Sequence, residues 1–220
     1  MDVNNIIAKL QQNFPEGPPT EEQVRGQEVQ FFADQWLKRW PEALDVPEFL
    51  TPGARLSVNR QEIFDRASEV SSPEGALELF VWILGWGTGT KARSIGRSAP
   101  ALHDPNLKDR LWRSFSTVQE AGAVEAYRRL YSWDENRIKY FGPAFFTKWI
   151  YFAAYDSWDG PSPAPLILDK WAAKALDWPT TGWSSSKYGQ YLDIAEQIRE
   201  TWASDMNTHV VEYALFQIRD

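Results

Sequence analysis

Lys148 and Asp169 are the residues whose types and spacing could do chemistry together. Lys148 lies early in the helical pattern AFFTKWIYFAAY, amid Phe145, Phe146, Trp149, Ile150 and Phe152. Apolar surroundings favour the neutral amine, the form that attacks an electrophilic carbon. A snorkelling lysine whose stem covers aromatic rings would show the same pattern. Asp169 follows 21 residues later, across a proline-rich crossover, SWDGPSPAPLIL, able to return the chain to the same end of the helix. A carboxylate there can cap the next helix, KWAAKAL, and can also sit beside the amine.

The elements around this pair suggest how it is positioned. DENRIKY reads as a short helix, and Tyr140-Phe141-Gly142-Pro143 as a very short connection into the helix that carries Lys148. Gly142 permits a positive φ, and Pro143 suits the first turn of a helix. A short helix, a tight glycine turn and a second helix make a helix–hairpin–helix, whose turn and second N-terminus present N–H groups to a phosphate. Short helical hairpins also occur without any such role.

Helical patterns dominate the rest of the chain. Thr20 with Gln23 forms a capping box before EEQVRGQEVQFFADQWLKRW, which Pro41 ends, and residues 45–54 read as loop. Ser57 is a candidate cap for VNRQEIFDRASEV, and Ser72-Pro73 starts PEGALELFVWILGW. Gly85, Gly87 and Gly89 then interrupt the pattern, and 91–105 reads as an extended crossover. Helices are expected over 106–115, from 117 or 118 to 131, over 188–203, and from Asp205 or Asn207 to about 218. Alternating strands and repeats are not evident. The expected fold is therefore all-α: one compact helical domain over 1–220, or two helical lobes, with 134–173 as the hairpin and Asp-bearing segment.

Composition narrows the chemistry. The chain has 220 residues, with 12 Trp, 12 Phe and 8 Tyr, an aromatic load incompatible with general disorder. The absence of Cys excludes disulfide scaffolds, cysteine nucleophiles and thiolate metal sites, and two His leave little for a histidine metal centre. Net charge is 23 − 30 = −7, but its distribution is uneven: residues 1–50 carry four basic and nine acidic groups, residues 91–148 eleven and six. That basic middle could face phosphates or be an ordinary solvated surface. The N-terminal stretch has no signal-peptide pattern, and the longest apolar run, ALELFVWILGW, is about half a membrane span, so a soluble cytoplasmic protein is expected.

The run 138–173 resembles the helix–hairpin–helix DNA glycosylase superfamily, in particular bacterial proteins similar to 8-oxoguanine DNA glycosylase. Gly142 falls on the hairpin, Lys148 is the best counterpart of the nucleophilic lysine of bifunctional members, and Pro165-Leu166-Ile167-Leu168-Asp169 resembles the segment that delivers the catalytic Asp. Near the C-terminus, Glu212-Tyr213-Ala214-Leu215-Phe216 resembles the helix stretch that holds a flipped 8-oxoguanine. Phe216 would stack on the base, and Glu212 stands where that family uses Gln. The helix from Glu78 to Trp86, followed by WGTGTKAR, is similar to these bacterial sequences without an assigned role. Two departures stand out: Pro143 and Ala144 follow Gly142 where the family brackets an aliphatic residue with glycines, and Lys148 comes about half a helical turn late.

The resemblance implies excision of an oxidised or modified purine from double-stranded DNA by a monomeric protein, in repair or against foreign modified DNA. The target nucleotide would flip into a pocket lined by candidates Phe145, Trp149, Trp171, His209, Glu212 and Phe216. For each aromatic, ordinary core packing also accounts for the residue type. Asp169 would stabilise positive charge on the sugar, and Lys148 would attack C1′, expel the base and form a Schiff base that β-elimination resolves. This chemistry requires no cofactor and no metal. Arg93, Arg97, Lys108, Arg110 and Arg113 are candidate phosphate contacts, giving affinity without base discrimination. Arg128, Arg129 and Arg137 read equally well as helix-surface charges, and His103 as support for the turn at Asp104-Pro105. A non-catalytic module that recognises modified nucleic acid, and a helical interaction or defence-accessory protein without DNA contact, are the alternatives from other classes.

Overall fold

A computed structural model describes residues 2–132, 135–159 and 163–218 of the chain. Twelve α-helices and one two-stranded sheet make up the regular structure of these residues, so the chain is mainly helical, as its patterning indicates. Helix α1 (Val3–Asn13) starts on the Asp2 side chain, and α2 (Glu21–Arg25) on the Thr20–Gln23 capping box. The single long helix expected over 21–40 does not form. Strand β1 (Val29–Phe32) and α3 (Ala33–Leu37) replace it, because β1 pairs antiparallel with β2 (Arg55–Val58), Val29 opposite Val58. Ser57 is consumed by that ladder. Asn59 therefore caps α4 (Arg60–Ser68) in its place, with Glu62 closing a capping box.

Helix α5 (Pro73–Thr88) begins on Ser72 with Pro73 in its first turn, and continues through Gly85 and Gly87. Those glycines make room rather than break the helix: a Cβ at Gly85 would come within 2.7 Å of the buried Phe31 ring. Residues 91–105 are also more regular than expected, forming α6 (Ala92–Ser98) and a 3-10 turn (Ala99–His103). Their buried face, Ile95, Ser98, Ala99 and Leu102, has helical spacing, but only Ile95 and Leu102 are large and apolar, which hides it from a hydropathy pattern. Helix α7 (Leu107–Ala121) runs past Phe115 to Gly122, whose φ of 83° separates it from α8 (Ala123–Tyr131). Then follow α9 (Pro143–Ala154), α10 (Lys170–Ala175), α11 (Ser185–Trp202) and α12 (His209–Gln217).

The described part of DENRIKY is not helical. Residues 135–136 and 139–140 are turns, and Asp134 lies outside the described residues, as do Gly160, Pro161 and Ser162 of the crossover. Tertiary bonds outcompete a local helix here. The buried Asn136 donates from Nδ2 to Thr117 Oγ1 at 3.2 Å, Arg110 Nη1 donates to the Arg137 carbonyl, and Ile138 and Phe141 point inward. The positive φ expected of Gly142 falls on Tyr140 (66°), and Gly142 is extended (φ −86°, ψ 171°) as the N-cap of α9.

Helix α9 is apolar almost all round and sits at the centre, with α4, α5, α7 and α8 packed against it. No helix among the described residues is long and apolar enough to cross a membrane.

Candidate active site

Lys148 lies in the second turn of α9, and its side chain runs back toward the helix N-terminus, the direction Cα–Cβ geometry favours. Nζ donates to the Ala144 carbonyl at 2.9 Å and lies 3.7 Å from Asp169 Oδ2, with only 9% of the lysine side chain and 14% of the aspartate side chain exposed. The side chain thus carries the amine back by about one helical turn, to the level of Ala144. The Phe145 ring covers it, with its centroid 5.9 Å from Nζ. Gly87 of α5 lies against both side chains: a Cβ there would meet Lys148 Cδ at 3.1 Å, the Phe145 ring at 3.3 Å and Lys148 Cε at 3.4 Å. Any side chain at position 87 would compete with the lysine for its channel.

Asp169 is fixed by its role as N-cap of α10. Oδ1 accepts from Trp171 N at 2.8 Å and Ala172 N at 3.2 Å, leaving Oδ2 toward the amine. Both functions anticipated for this residue type are met by one carboxylate.

The segment leading into Asp169 is extended and buried, and such a segment must satisfy its main-chain groups somehow. Three hydroxyls do so. Thr147 Oγ1 accepts from Leu168 N and lies within donor range of Leu168 O, both at 3.1 Å. Tyr188 donates to Leu166 O at 2.9 Å and Tyr191 to Ile167 O at 2.9 Å. Thr147, Tyr188, Tyr191 and Gly87 all position the pair, and sequence reasoning assigned none of them a role. Thr147 beside Lys148, with a proline-rich extended run 21 residues on, was the available signal.

The residues proposed to line a base pocket do not gather in one opening. Phe145, Trp171 and Phe216 are half-buried, and Trp171 lies near the amines of Lys170 and Lys174, its ring centroid 4.3 and 5.3 Å away. Trp149 is fully buried in the core, edge-on to Phe80 and Phe115, and donates to Ser114 Oγ at 2.9 Å. Glu212 and His209 belong to a buried polar network centred on Arg60. The Arg60 guanidinium, 1% exposed, bonds Glu212 Oε2 at 2.6 Å, the Tyr151 hydroxyl at 3.1 Å and Gln27 Oε1 at 2.8 Å, amid the rings of Trp86, Tyr151 and Tyr213. Burial opposes its charge, but Glu212 and Tyr151 more than compensate, so Arg60 stays protonated.

His209 is fully buried, stacked on Tyr155, with Nδ1 on the Tyr151 hydroxyl and Nε2 on Glu21 Oε2. Burial holds the imidazole below the usual histidine range against the pull of Glu21. A neutral ring donating from Nε2–H to Glu21 and accepting at Nδ1 from Tyr151 fits these contacts. Burial pushes the Tyr151 hydroxyl well up, keeping it a donor.

The basic candidates divide in two. Arg93 and Arg97 are exposed on α6 and form no ion pair among the described residues. Lys108 faces Glu74 at 3.6 Å and Asp45 at 4.0 Å, Arg110 pairs with Asp104 at 2.7 Å, and Arg113 reaches Glu135 at 4.0 Å. Gly142 is exposed at the start of α9. His103 Nε2 lies 3.2 Å from the Arg39 carbonyl oxygen. Among the described residues no cluster of three or more His, Asp or Glu is placed to hold a metal ion.

A mostly buried amine–carboxylate pair thus stands at the start of the central helix of a mainly helical fold. The family model described as "Putative 8-oxoguanine DNA glycosylase OGG-like protein" matches residues 22–216, and the chain belongs to that family. No curated protein and no solved structure matches it.

Proposed function

We propose that this chain is a DNA glycosylase that excises an oxidised or modified purine from duplex DNA, with Lys148 as nucleophile and Asp169 as its carboxylate partner. The observation that carries this reading is the 3.7 Å approach of Lys148 Nζ to Asp169 Oδ2, with both side chains mostly buried. Family membership supplies DNA as the substrate class.

The steps follow from the groups present. Asp169 accepts a proton from the ammonium, freeing the lone pair of Nζ. Nζ attacks C1′ of the flipped nucleotide, and the bonding pair of the N-glycosidic bond leaves with the base, which takes up a proton. The base takes that proton from Asp169, and the carboxylate so regenerated stabilises the positive charge on the sugar and on the attached nitrogen. Ring opening then gives a protonated imine, and loss of a C2′ proton expels the 3′ phosphate by β-elimination. Phosphate contacts fall to Arg93 and Arg97 and to the exposed turn at Gly142.

Base release and borohydride trapping on a duplex containing 8-oxoguanine test this directly. The parent protein should release the base and be captured covalently. K148A should lose capture. D169N retains capping ability, since Asn and Asp cap helices about equally well, so it should fold normally and still lose most of the rate. Salt-sensitive duplex binding with no base release would instead identify a non-catalytic module.

A further inference from the structure

Helix C-termini carry partial negative charge and commonly draw Lys, Arg or His into their last turn. Around the end of α9 the chain does the opposite. Neither α7 nor α9 has a basic residue in its last turn, and α7 places Glu120 there. The Ala153 and Ala154 carbonyls accept from neutral side chains, Gln119 Nε2 and Ser157 Oγ, both at 3.3 Å.

These two helix ends, with that of α4, wall a cavity of about 800 Å³. Glu120, Asp156 and Asp159 stand on its rim, and Phe64, Phe115, Phe152 and the half-buried Trp158 form its apolar wall. Val70 joins it to a second depression, of about 470 Å³, that holds Asp65, Glu69 and Glu78. Ala121 and Gly122 join it to a third, of about 390 Å³, with Glu125, Asp193 and the exposed Val124. The one cation lining the three is Arg66, taken up by the Trp82 ring 4.4 Å away. Asp156 is paired with Arg25, and Glu125 with Arg128 and Arg129. The other six carboxylates have no ion pair among the described residues.

Any one of these carboxylates reads as solvated surface. Gathered along one groove, over two helix ends without a cation, they repel one another and are relieved by positive charge from outside the chain. That potential also repels a phosphate backbone, so DNA is not the occupant. Small-molecule sites span about 300–1,000 Å³, which the joined groove exceeds, so an extended chain fits it better than a small cation. The groove meets α9 at Ala154, ten residues and about 15 Å along the axis from Ala144, whose carbonyl holds the Lys148 amine.

We infer that this groove docks a segment of a partner protein rich in Lys and Arg, with a large apolar side chain seated against Trp158 and Phe115. Docking there requires neither DNA nor the Lys148–Asp169 pair.

The test selects a bead-displayed random library of peptides of about 12 residues, about 40 Å when extended, on the full chain. Enriched sequences should be cationic and carry an aromatic or large aliphatic residue. Fluorescence anisotropy of one labelled enriched peptide then reads the site. E120Q/D159N/D193N changes exposed positions only and should weaken binding about tenfold or more, with a shallower salt dependence than the parent's. E16Q/E42Q/E48Q removes as many charges from exposed positions outside the groove and should bind as the parent does. Replacing the peptide's apolar residue by Ser should weaken binding, and spermidine at the peptide's concentration should not displace it. No enriched peptide, enrichment of neutral or acidic sequences, parent-like binding by E120Q/D159N/D193N, or equal weakening in both triple variants overturns the inference. Displacement by spermidine, or an unchanged Kd for the Ser-substituted peptide, overturns it in favour of a small-cation site.

Discussion

Thr147 Oγ1 lies 3.1 Å from both the main-chain nitrogen and the carbonyl oxygen of Leu168, one residue before each member of the Lys148–Asp169 pair. Central helix and extended crossover are thus joined at the point that sets the distance from Lys148 to Asp169. T147V keeps the shape and removes the hydroxyl, leaving without it the Leu168 N–H and the one carbonyl its hydrogen serves, Pro143 O at 2.8 Å or Leu168 O at 3.1 Å. Each group left unpaired costs about 1–3 kcal/mol, so urea denaturation should show a loss of that order. Single-turnover base release at saturating protein should fall as well, and T147S should restore it. A T147S as slow as T147V would argue for packing by the methyl group and against positioning by the hydroxyl.

Gly87 makes the lysine channel. G87A adds a methyl 3.1 Å from Lys148 Cδ and 3.3 Å from Phe145, contacts that flexible side chains can yield to. Because Ala is favoured over Gly in a helix interior by about 1 kcal/mol, stability should hold or rise while the amine is displaced. Thermal unfolding near the parent value combined with trapping reduced tenfold or more is the expected result. Equal trapping would show that the channel is not limiting.

The Arg60–Glu212 pair is a second fragile point. Both side chains are almost fully buried, so R60A strands a carboxylate and should cost about 3–5 kcal/mol. Replacing both partners by apolar residues, as in R60M with E212L, should cost less than R60A alone. A larger loss in the double variant would mean that the network around Tyr151 and Gln27 depends on the charges themselves.

Acid sensitivity follows from Glu21 and His209. Burial lowers the His209 imidazole below its ordinary 6.5, so the unfolded chain binds a proton before the folded one does, and stability falls as pH drops below about 6.5. Burial raises the Glu21 carboxyl, but hydrogen bonds and charge from His209, with Asn207, outweigh that and bring it from 4.5 to about 2. The stability Glu21 contributes is therefore present above 4.5 and lost between 4.5 and about 2. With its side chain 32% exposed, screening limits that contribution to at most about 2 kcal/mol. Urea midpoints should decline from pH 7 to 5 in the parent protein and stay flatter in H209Q. An H209Q profile as steep as the parent's would assign the loss elsewhere.

Much of the architecture is written in local signals. The Thr20–Gln23 box, Ser72-Pro73 and Asp169 all start helices where their residue types indicate. The Lys148–Asp169 approach was legible because a proline-rich crossover has few ways to return. What the sequence hides depends on distant partners. Val29–Phe32 becomes a strand because Arg55–Val58 pairs with it, and DENRIKY stays irregular because Asn136 and Arg137 bond to α7. Glu212 and His209 were readable as pocket residues only while Arg60, 152 and 149 residues away, was not known to be their neighbour in one network. Tyr140 taking the positive φ instead of Gly142 has no local signature at all.

The central claim is that Lys148 attacks the sugar. Peptide mapping of the borohydride-reduced adduct with 8-oxoguanine duplex tests it most directly. The expected result is a single modified peptide, cross-linked at Lys148, with no adduct from K148A and a strongly reduced yield from D169N. An adduct mapped to another amine, or formed equally by K148A, would contradict it.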